Sequence, residues 1–91
     1  MSRQNFRVIF SEHFTKIVFK ISKKDKLTVR KIETEIVKIG QNPLIGKPLR
    51  NVLKNYRRIH IDSFVLIYEI KENEVRILDF DHHDKIYKKR F

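Results

Sequence analysis

Side chains that can move protons and bind phosphate lie in two short stretches of the second half of the chain. The first stretch, 56–61, reads Tyr-Arg-Arg-Ile-His-Ile, and the second, 81–87, reads Asp-His-His-Asp-Lys-Ile-Tyr. In a strand, side chains alternate between two faces, so Arg58 and His60 are expected on the same face. Imidazole transfers protons near neutral pH, and guanidinium binds phosphate through paired hydrogen bonds. These residue types suit phosphate-ester chemistry, although a solvated surface histidine is an equally good interpretation of His60.

The charge of the chain indicates an acidic partner. Lys and Arg number 21 against 11 Asp and Glu, a formal net charge of +10. Between Gln41 and Ile61 there are cations and no carboxylate, whereas helical stretches elsewhere mix both signs. A one-sign stretch favours a nucleic-acid footprint over a lysine-rich coat that only aids solubility. A membrane surface and an acidic protein are the other partners that such a charge allows.

Length and composition restrict the class of protein. Ninety-one residues predict a single domain, 1–91, with a basic tail from about 85 to 91. The chain has no cysteine, which excludes disulfide scaffolds, Cys-bearing zinc sites and thiol nucleophiles, and fits a reducing cytoplasm. The longest apolar run, Phe64 to Tyr68, is too short to span a membrane, and the N-terminus lacks the apolar stretch of a secretion signal. We therefore expect a soluble cytoplasmic protein with no membrane partner.

Two amphipathic helices are predicted in the first half. Residues 5–10 alternate until their last two positions, which predicts a strand, and Ser11 follows as an N-cap. Asp25 is a suitable N-cap for the second helix, and Gly40 is expected to end that helix in a left-handed conformation. The apolar stripes have helical spacing; they are Phe14, Ile17, Val18 and Ile21, then Val29, Ile32, Ile36 and Ile39. The short break between them predicts an antiparallel hairpin.

The second half predicts the sheet on which this hairpin packs. Three strand-like runs, 56–61, 64–71 and 74–80, are separated by two residues each, as in an antiparallel meander. The predicted fold is therefore α+β: an N-terminal strand, a helix hairpin and a three-stranded meander that form a small mixed sheet. Residues 64–70 are largely apolar on both faces, so the C-terminal tail or a partner is expected to cover the second face. A domain this small is not expected to cover both faces by itself.

The order of these elements resembles the RelE/ParE superfamily of toxin–antitoxin toxins. The resemblance runs from about Phe6 to Tyr87 and is closer to the RelE branch. It rests on four segments: 42–49 (Asn-Pro-Leu-Ile-Gly-Lys-Pro-Leu), 56–61, 65–70 (Val-Leu-Ile-Tyr-Glu-Ile) and 82–87 (His-His-Asp-Lys-Ile-Tyr). The RelE branch implies an endoribonuclease that cleaves mRNA on the ribosome, without metal or cofactor, by attack of a 2′-hydroxyl. The ParE branch implies an inhibitor of DNA gyrase.

The resemblance also implies site residues and a protein partner. Arg58 and His60 match the basic residues of the first meander strand and would bind and neutralise the scissile phosphate. His83 or Tyr87 would transfer protons. The expected RNA contacts are Lys47, Arg50, Lys54, His82 and Lys85. Both branches are silenced by a cognate antitoxin, so we expect an acidic, RelB-like partner in a heterodimer or a 2:2 complex.

Two positions depart from the RelE pattern, which commonly has Arg where this chain has Val65 and His83. Loss of one such contact costs about 2.7–4 kcal/mol of transition-state stabilisation. Either histidines catalyse a variant of the reaction, or the nuclease activity is weak or absent. A gyrase inhibitor, a non-catalytic RNA- or ribosome-binding module, and a degenerate toxin that only binds its antitoxin therefore stay open. The segment from Asp81 to Asp84 is also compatible with a metal site, and Tyr87 with a packing anchor.

Overall fold

The computed structural model describes residues 6–49, 56–86 and 88–89. Its elements, in chain order, are β1 (Arg7–Phe10), α1 (Glu12–Ser22), α2 (Lys26–Gln41), a 3₁₀ helix (Pro43–Ile45), β2 (Lys47–Pro48), β3 (Tyr56–Ile61), β4 (Phe64–Lys71), β5 (Glu74–His82) and α3 (His83–Ile86). Within these described ranges, no helix has the length and apolar character needed to cross a membrane.

The five strands form one mixed sheet in the order β1-β5-β4-β3-β2. β1 runs parallel to β5, and the other neighbours are antiparallel. The predicted α+β fold is confirmed, with two differences in the strands. β5 extends to His82, which pairs with Phe64 at the start of β4. The predicted connector contains the short strand β2, whose Pro48 lies at the edge of the sheet, where a missing N–H is tolerated.

The helix starts were predicted correctly, but the end of α2 was not. Ser11 Oγ accepts a hydrogen bond from the Phe14 amide, and Asp25 Oδ1 accepts one from the Thr28 amide, each over 3.0 Å. The prediction that Gly40 ends α2 in a left-handed conformation is wrong. Gly40 is helical and has no positive φ; α2 continues to Gln41 and is followed by Asn42, whose backbone is extended. The reason is that the Asn42 side chain caps the following 3₁₀ helix, where it accepts from the Leu44 amide.

The main hydrophobic core lies between the helix hairpin and one face of the sheet. Leu66 and Tyr68 on β4 are fully buried at its centre. The other buried members come from both helices and the neighbouring strands; they are Phe14, Ile32, Ile39, Ile61, Val75, Ile77 and Phe80. Since the stripes of α1 and α2 both contribute, the core fixes the hairpin on this face and leaves the opposite face for other contacts.

A second, smaller core covers the opposite face of the sheet. Val65 and Ile67 on β4 are 0% and 1% exposed, and Ile86 of α3 packs against them. The C-terminal segment, one of the two expected covers, packs on this face. The expectation that this chain cannot cover both faces of β4 is therefore wrong, because a single turn of helix places one isoleucine over two strand residues. The apolar character of β4 consequently gives no argument for a partner.

Candidate functional site

Three basic side chains share the sheet face opposite the helix hairpin. On β3, Ile59 and Ile61 pack into the main core, so alternation places Arg58 and His60 on the other face, as predicted. Lys47 on β2 is the antiparallel partner of Arg58. Residues directly opposite each other in a sheet point to the same side. Lys47, Arg58 and His60 therefore form one basic group, which we call the basic face.

His83 joins the basic face from the end of β5. Its ring is stacked on that of His60, with 5.6 Å between ring centroids and 28° between planes. The His83 amide donates to the Ser63 carbonyl over 2.9 Å, which fixes the start of α3 at the β3–β4 turn. His82 points to a different environment, where its ring meets the edge of Phe64 at 5.5 Å. The structure thus brings one of the two consecutive histidines to the basic face, and that one is His83.

The surroundings of His60 favour its neutral form. Partial burial lowers the pKa of this imidazole, and the positive charges of Arg58, His83 and Lys47 lower it further. Both causes have the same sign because desolvation and nearby cations each disfavour imidazolium. At neutral pH, the neutral His60 imidazole can therefore accept a proton beside the Arg58 guanidinium and the Lys47 ammonium. This is a suitable environment for a general base next to an anionic substrate.

The loop before Lys47 is held by two residues of the sheet. The Tyr68 hydroxyl donates to the Pro43 carbonyl over 2.5 Å and accepts from the Gly46 amide over 2.9 Å. Arg57 lies on the helix side of β3, as alternation predicts, and its guanidinium donates to the Gly46 carbonyl over 2.6 Å. Arg57 therefore positions the loop and is directed away from the basic face. The role of Tyr68 was missed, since in the sequence it is one apolar position among several.

A second group that sequence reasoning missed lies on β5. Asp79 is 2% exposed and contacts His13 of α1 and Lys89 of the C-terminal segment. Lys89 also lies 2.9 Å from Asp81. Burial raises the pKa of Asp81, but the hydrogen bond and charge of Lys89, with smaller contributions from the His82 amide and Lys85, hold it below its usual value. The only sequence signal was a pair of acidic residues, two positions apart, in a strand of a basic chain.

The remaining predicted site residues divide into two groups. Lys85 on α3 and His82 at the end of β5 are exposed, and the Asp84 amide lies 3.4 Å from His82 Nδ1. The other three, Arg50, Lys54 and Tyr87, lie outside the described residues. In the ranges 6–49, 56–86 and 88–89, no three His, Asp or Glu side chains converge as ligands for a metal ion. Val65, where the RelE pattern has Arg, belongs to the small core under Ile86 and pairs with His60.

Solved structures that share this architecture include a YoeB dimer and a toxin–antitoxin complex. The YoeB dimer from Staphylococcus aureus gives a TM-score of 0.74 at 23% identity, over 90% of this chain and 99% of that chain. The Escherichia coli DinJ–YafQ toxin–antitoxin complex gives 0.74 at 20% identity, over 91% and 98%. At such identities these matches establish the fold, which is that of the RelE- and YoeB-type toxins.

The sequence itself places the chain in a family. A family model described as the ParE toxin of the type II toxin–antitoxin system parDE matches residues 8–87. A protein of Methanocaldococcus jannaschii named "Putative toxin RelE4" is 46% identical over 78 residues, which are 82% of this chain and 83% of that protein. The chain belongs to the ParE toxin family of type II toxin–antitoxin systems. The predicted RelE/ParE superfamily of toxins is therefore confirmed.

Proposed function

We propose that this toxin is a metal-independent endoribonuclease that cleaves mRNA on the ribosome. The observation that carries the proposal is the stacking of His60 on His83 beside Arg58 on one sheet face. The centroids of the two rings are 5.6 Å apart. Two imidazoles can divide the work of base and acid, while a guanidinium and an ammonium hold negative charge. In the described part of the chain, this face combines proton-transfer groups with phosphate-binding groups.

The proposed reaction uses the RNA as its own nucleophile. A base takes the proton of a 2′-hydroxyl, and the oxygen attacks the adjacent phosphorus. The bond from phosphorus to the 5′-oxygen breaks as that oxygen receives a proton, which leaves a 2′,3′-cyclic phosphate and a 5′-hydroxyl. The lowered pKa of His60 favours its neutral form, so we assign it the role of base in place of the phosphate-neutralising role that the family resemblance implies. His83 or Tyr87 would supply the proton to the leaving oxygen, and Arg58 with Lys47 would stabilise the extra negative charge.

Surrounding cations would hold the RNA chain along this site. Lys47 pairs with Arg58 across the sheet, and Lys85 is exposed on α3. Arg50 and Lys54 lie in the acid-free stretch of the sequence and are proposed as further phosphate contacts, with His82 at the edge. Contacts of this kind carry no base specificity. Ribosomal RNA is a large polyanion and would be attracted by the same net charge of +10.

An acidic, RelB-like antitoxin is proposed as the protein partner, in a heterodimer or a 2:2 complex. A solved relative of this fold is a toxin–antitoxin complex, which supports a protein that covers the toxin. The described helices also expose large apolar side chains: Phe19, Leu27 and Val37 are 61%, 63% and 59% exposed. A partner with acidic and apolar residues would bury these side chains and offset the positive charge.

Expression in cells with primer extension on mRNA tests the nuclease. The wild type is expected to produce discrete cleavage ends, and Arg58→Ala is expected to lower cleavage by about 10²–10³-fold through the loss of transition-state stabilisation. His83→Ala is expected to have an effect of similar size if it is the acid. Arg30→Ala, which removes the same charge from an exposed position on α2, is the matched control. Cleavage that survives both site substitutions would discard this site.

Inhibition of DNA gyrase is the second candidate function. It is favoured by the description of the matching family as a ParE toxin, and by Val65, which is buried where the RelE pattern has an arginine. A gyrase inhibitor would induce a DNA-damage response in cells and leave mRNA intact. The same expression experiment, with a supercoiling assay on purified gyrase, separates the two functions.

A further inference from the structure

A buried carboxylate that the proposed chemistry does not use lies on β5. Asp79 is 2% exposed. Its Oδ1 lies 3.0 Å from Nε2 of His13 and accepts from the Phe80 amide over 2.8 Å, and its Oδ2 lies 2.7 Å from Nζ of Lys89. A carboxylate is stable in such a buried place only where hydrogen bonds and cations replace water. These donors come from α1, from β5 itself and from the C-terminal segment.

Lys89 connects the C-terminal segment to the sheet. Its Nζ lies 2.7 Å from Asp79 and 2.9 Å from Asp81, so it bridges two carboxylates of β5. Burial lowers the pKa of Lys89, but its hydrogen bonds to the two carboxylates and their charges raise it above its usual value, and the ammonium stays charged. The ion pair thus links the segment that follows α3 back to β5, the strand that precedes α3.

α3 depends on contacts at its ends. It has four residues, His83 to Ile86, and a helix of one turn is not stable in isolation. Its start is fixed by the bond from the His83 amide to the Ser63 carbonyl, and its last residue, Ile86, is buried in the small core. After its end, the Lys89 amide donates to the Ile86 carbonyl over 3.2 Å, and the Lys89 side chain reaches Asp79.

We propose that the Lys89–Asp79 ion pair is a latch that positions α3 and thereby holds the His83 imidazole against that of His60. Lys89 is then a positioning residue of the site, because it acts through α3 and not on the substrate. The effect of the latch on RNA cleavage rests on the proposed nuclease function. The effect of the latch on the contact between His60 and His83 is independent of that function.

Nuclear magnetic resonance of the purified toxin tests the latch directly. The wild type is expected to show nuclear Overhauser contacts between the ring protons of His60 and His83. Lys89→Met should remove them, whereas Lys88→Met, which deletes the same charge at the exposed preceding position, should keep them. The pKa of His60 should rise in Lys89→Met relative to Lys88→Met, because the burial and the His83 charge that lower it are lost. Lys89→Arg should restore the contacts.

A cleavage assay on an RNA oligonucleotide gives a second readout. Lys89→Met is expected to lower kcat by up to about 10²-fold relative to Lys88→Met, the scale of a misplacement of about 1 Å, with KM equal in the two variants. Asp79→Asn removes the charge of the other partner in the ion pair and should also abolish the ring contacts between His60 and His83. If Lys89→Met does not fold, Lys89→Gln replaces it.

The outcomes separate the two proposals. Ring contacts that persist in Lys89→Met and Asp79→Asn would overturn the latch, whatever the cleavage rates are. Ring contacts that disappear in Lys89→Met, in a toxin whose wild type cleaves no RNA, would support the latch and overturn the nuclease. If Lys89→Met and Lys88→Met lose the ring contacts to the same extent, the cause is the change in net charge, and the latch is overturned.

Discussion

The amide of Gly46 donates a hydrogen bond over 2.9 Å to the hydroxyl of Tyr68, which lies fully buried at the centre of the sheet. The same hydroxyl donates to the carbonyl of Pro43. One phenol therefore satisfies two backbone groups of the loop that leads into β2. Because Lys47 follows directly, its place opposite Arg58 depends on this contact. The Tyr68 side chain thus joins the apolar core to the basic face, and Arg57 is the second side chain that holds this loop.

Gly46→Ala is expected to destabilise the toxin by about 1–3 kcal/mol, the usual cost of overpacking. A Cβ at this position would lie 2.5 Å from the Tyr68 hydroxyl and 2.9 Å from the Arg58 carbonyl, so the loop has to move. Urea unfolding measures the change. Gly40→Ala is the control: its Cβ would meet Val8 Cγ2 at 3.4 Å, and alanine is the better helix former. Superimposable unfolding curves for Gly46→Ala and wild type would contradict the expected role.

The elements that follow a simple periodic pattern were predictable from the sequence. The meander strands were placed within two residues, because alternation and two-residue spacers determine where strands start and stop. The turn residues Asp62 and Glu72 have φ of 56° and 58°, a conformation that favours glycine. Since neither is glycine, their composition alone did not reveal the turn conformation. β2 was not predictable, because a strand of two residues has no periodicity.

The candidate site was predictable where one strand determined it and not where separate segments meet. Alternation on β3 predicted that Arg58 and His60 share a face. The stacking of His83 on His60 depends on the direction that the chain takes after β5, which no local pattern encodes. The contact between Lys89 and Asp79 depends in addition on the fold of the C-terminal segment. Both contacts arise from tertiary packing. The family resemblance placed His60 and His83 in one site, but no pattern in the sequence predicted the contact between Lys89 and Asp79.

The rate of RNA cleavage is expected to fall on the acid side as His60 is protonated. The active form of a base is neutral, so the rate decreases when the pH drops through the pKa of His60. That pKa is lowered by burial and by Arg58, His83 and Lys47, so the midpoint of the acid limb should lie below the ordinary value of 6.5. The measurement is kcat/KM against pH, which reports groups of the free enzyme. A flat rate from about pH 5 to 8 would argue against a histidine base.

A charge substitution near His60 provides the control for this assignment. Lys47→Ala removes one of the cations that lower the pKa of His60, so the acid limb should move to higher pH. Lys16→Ala deletes the same charge from the exposed surface of α1, where Lys16 pairs with Glu12 at 3.7 Å, and should leave the limb in place. If the acid limb shifts equally in both variants, the shift is a general effect of net charge and gives no support to His60 as the titrating base.

Binding of single-stranded RNA should weaken with salt, and the two described lysines of the RNA path should each contribute to the slope. Each phosphate contact adds roughly 0.7 to the slope of log affinity against log salt for single strands, because it releases bound counterions. Lys47→Ala and Lys85→Ala are each expected to lower the slope by about that amount, and Lys16→Ala is expected to leave it unchanged. The probe is a 2′-O-methyl RNA oligonucleotide, which cannot be cleaved by 2′-hydroxyl attack, so binding is measured alone. If all three variants keep the wild-type slope, Lys47 and Lys85 are solvated surface residues that do not contact the RNA phosphates.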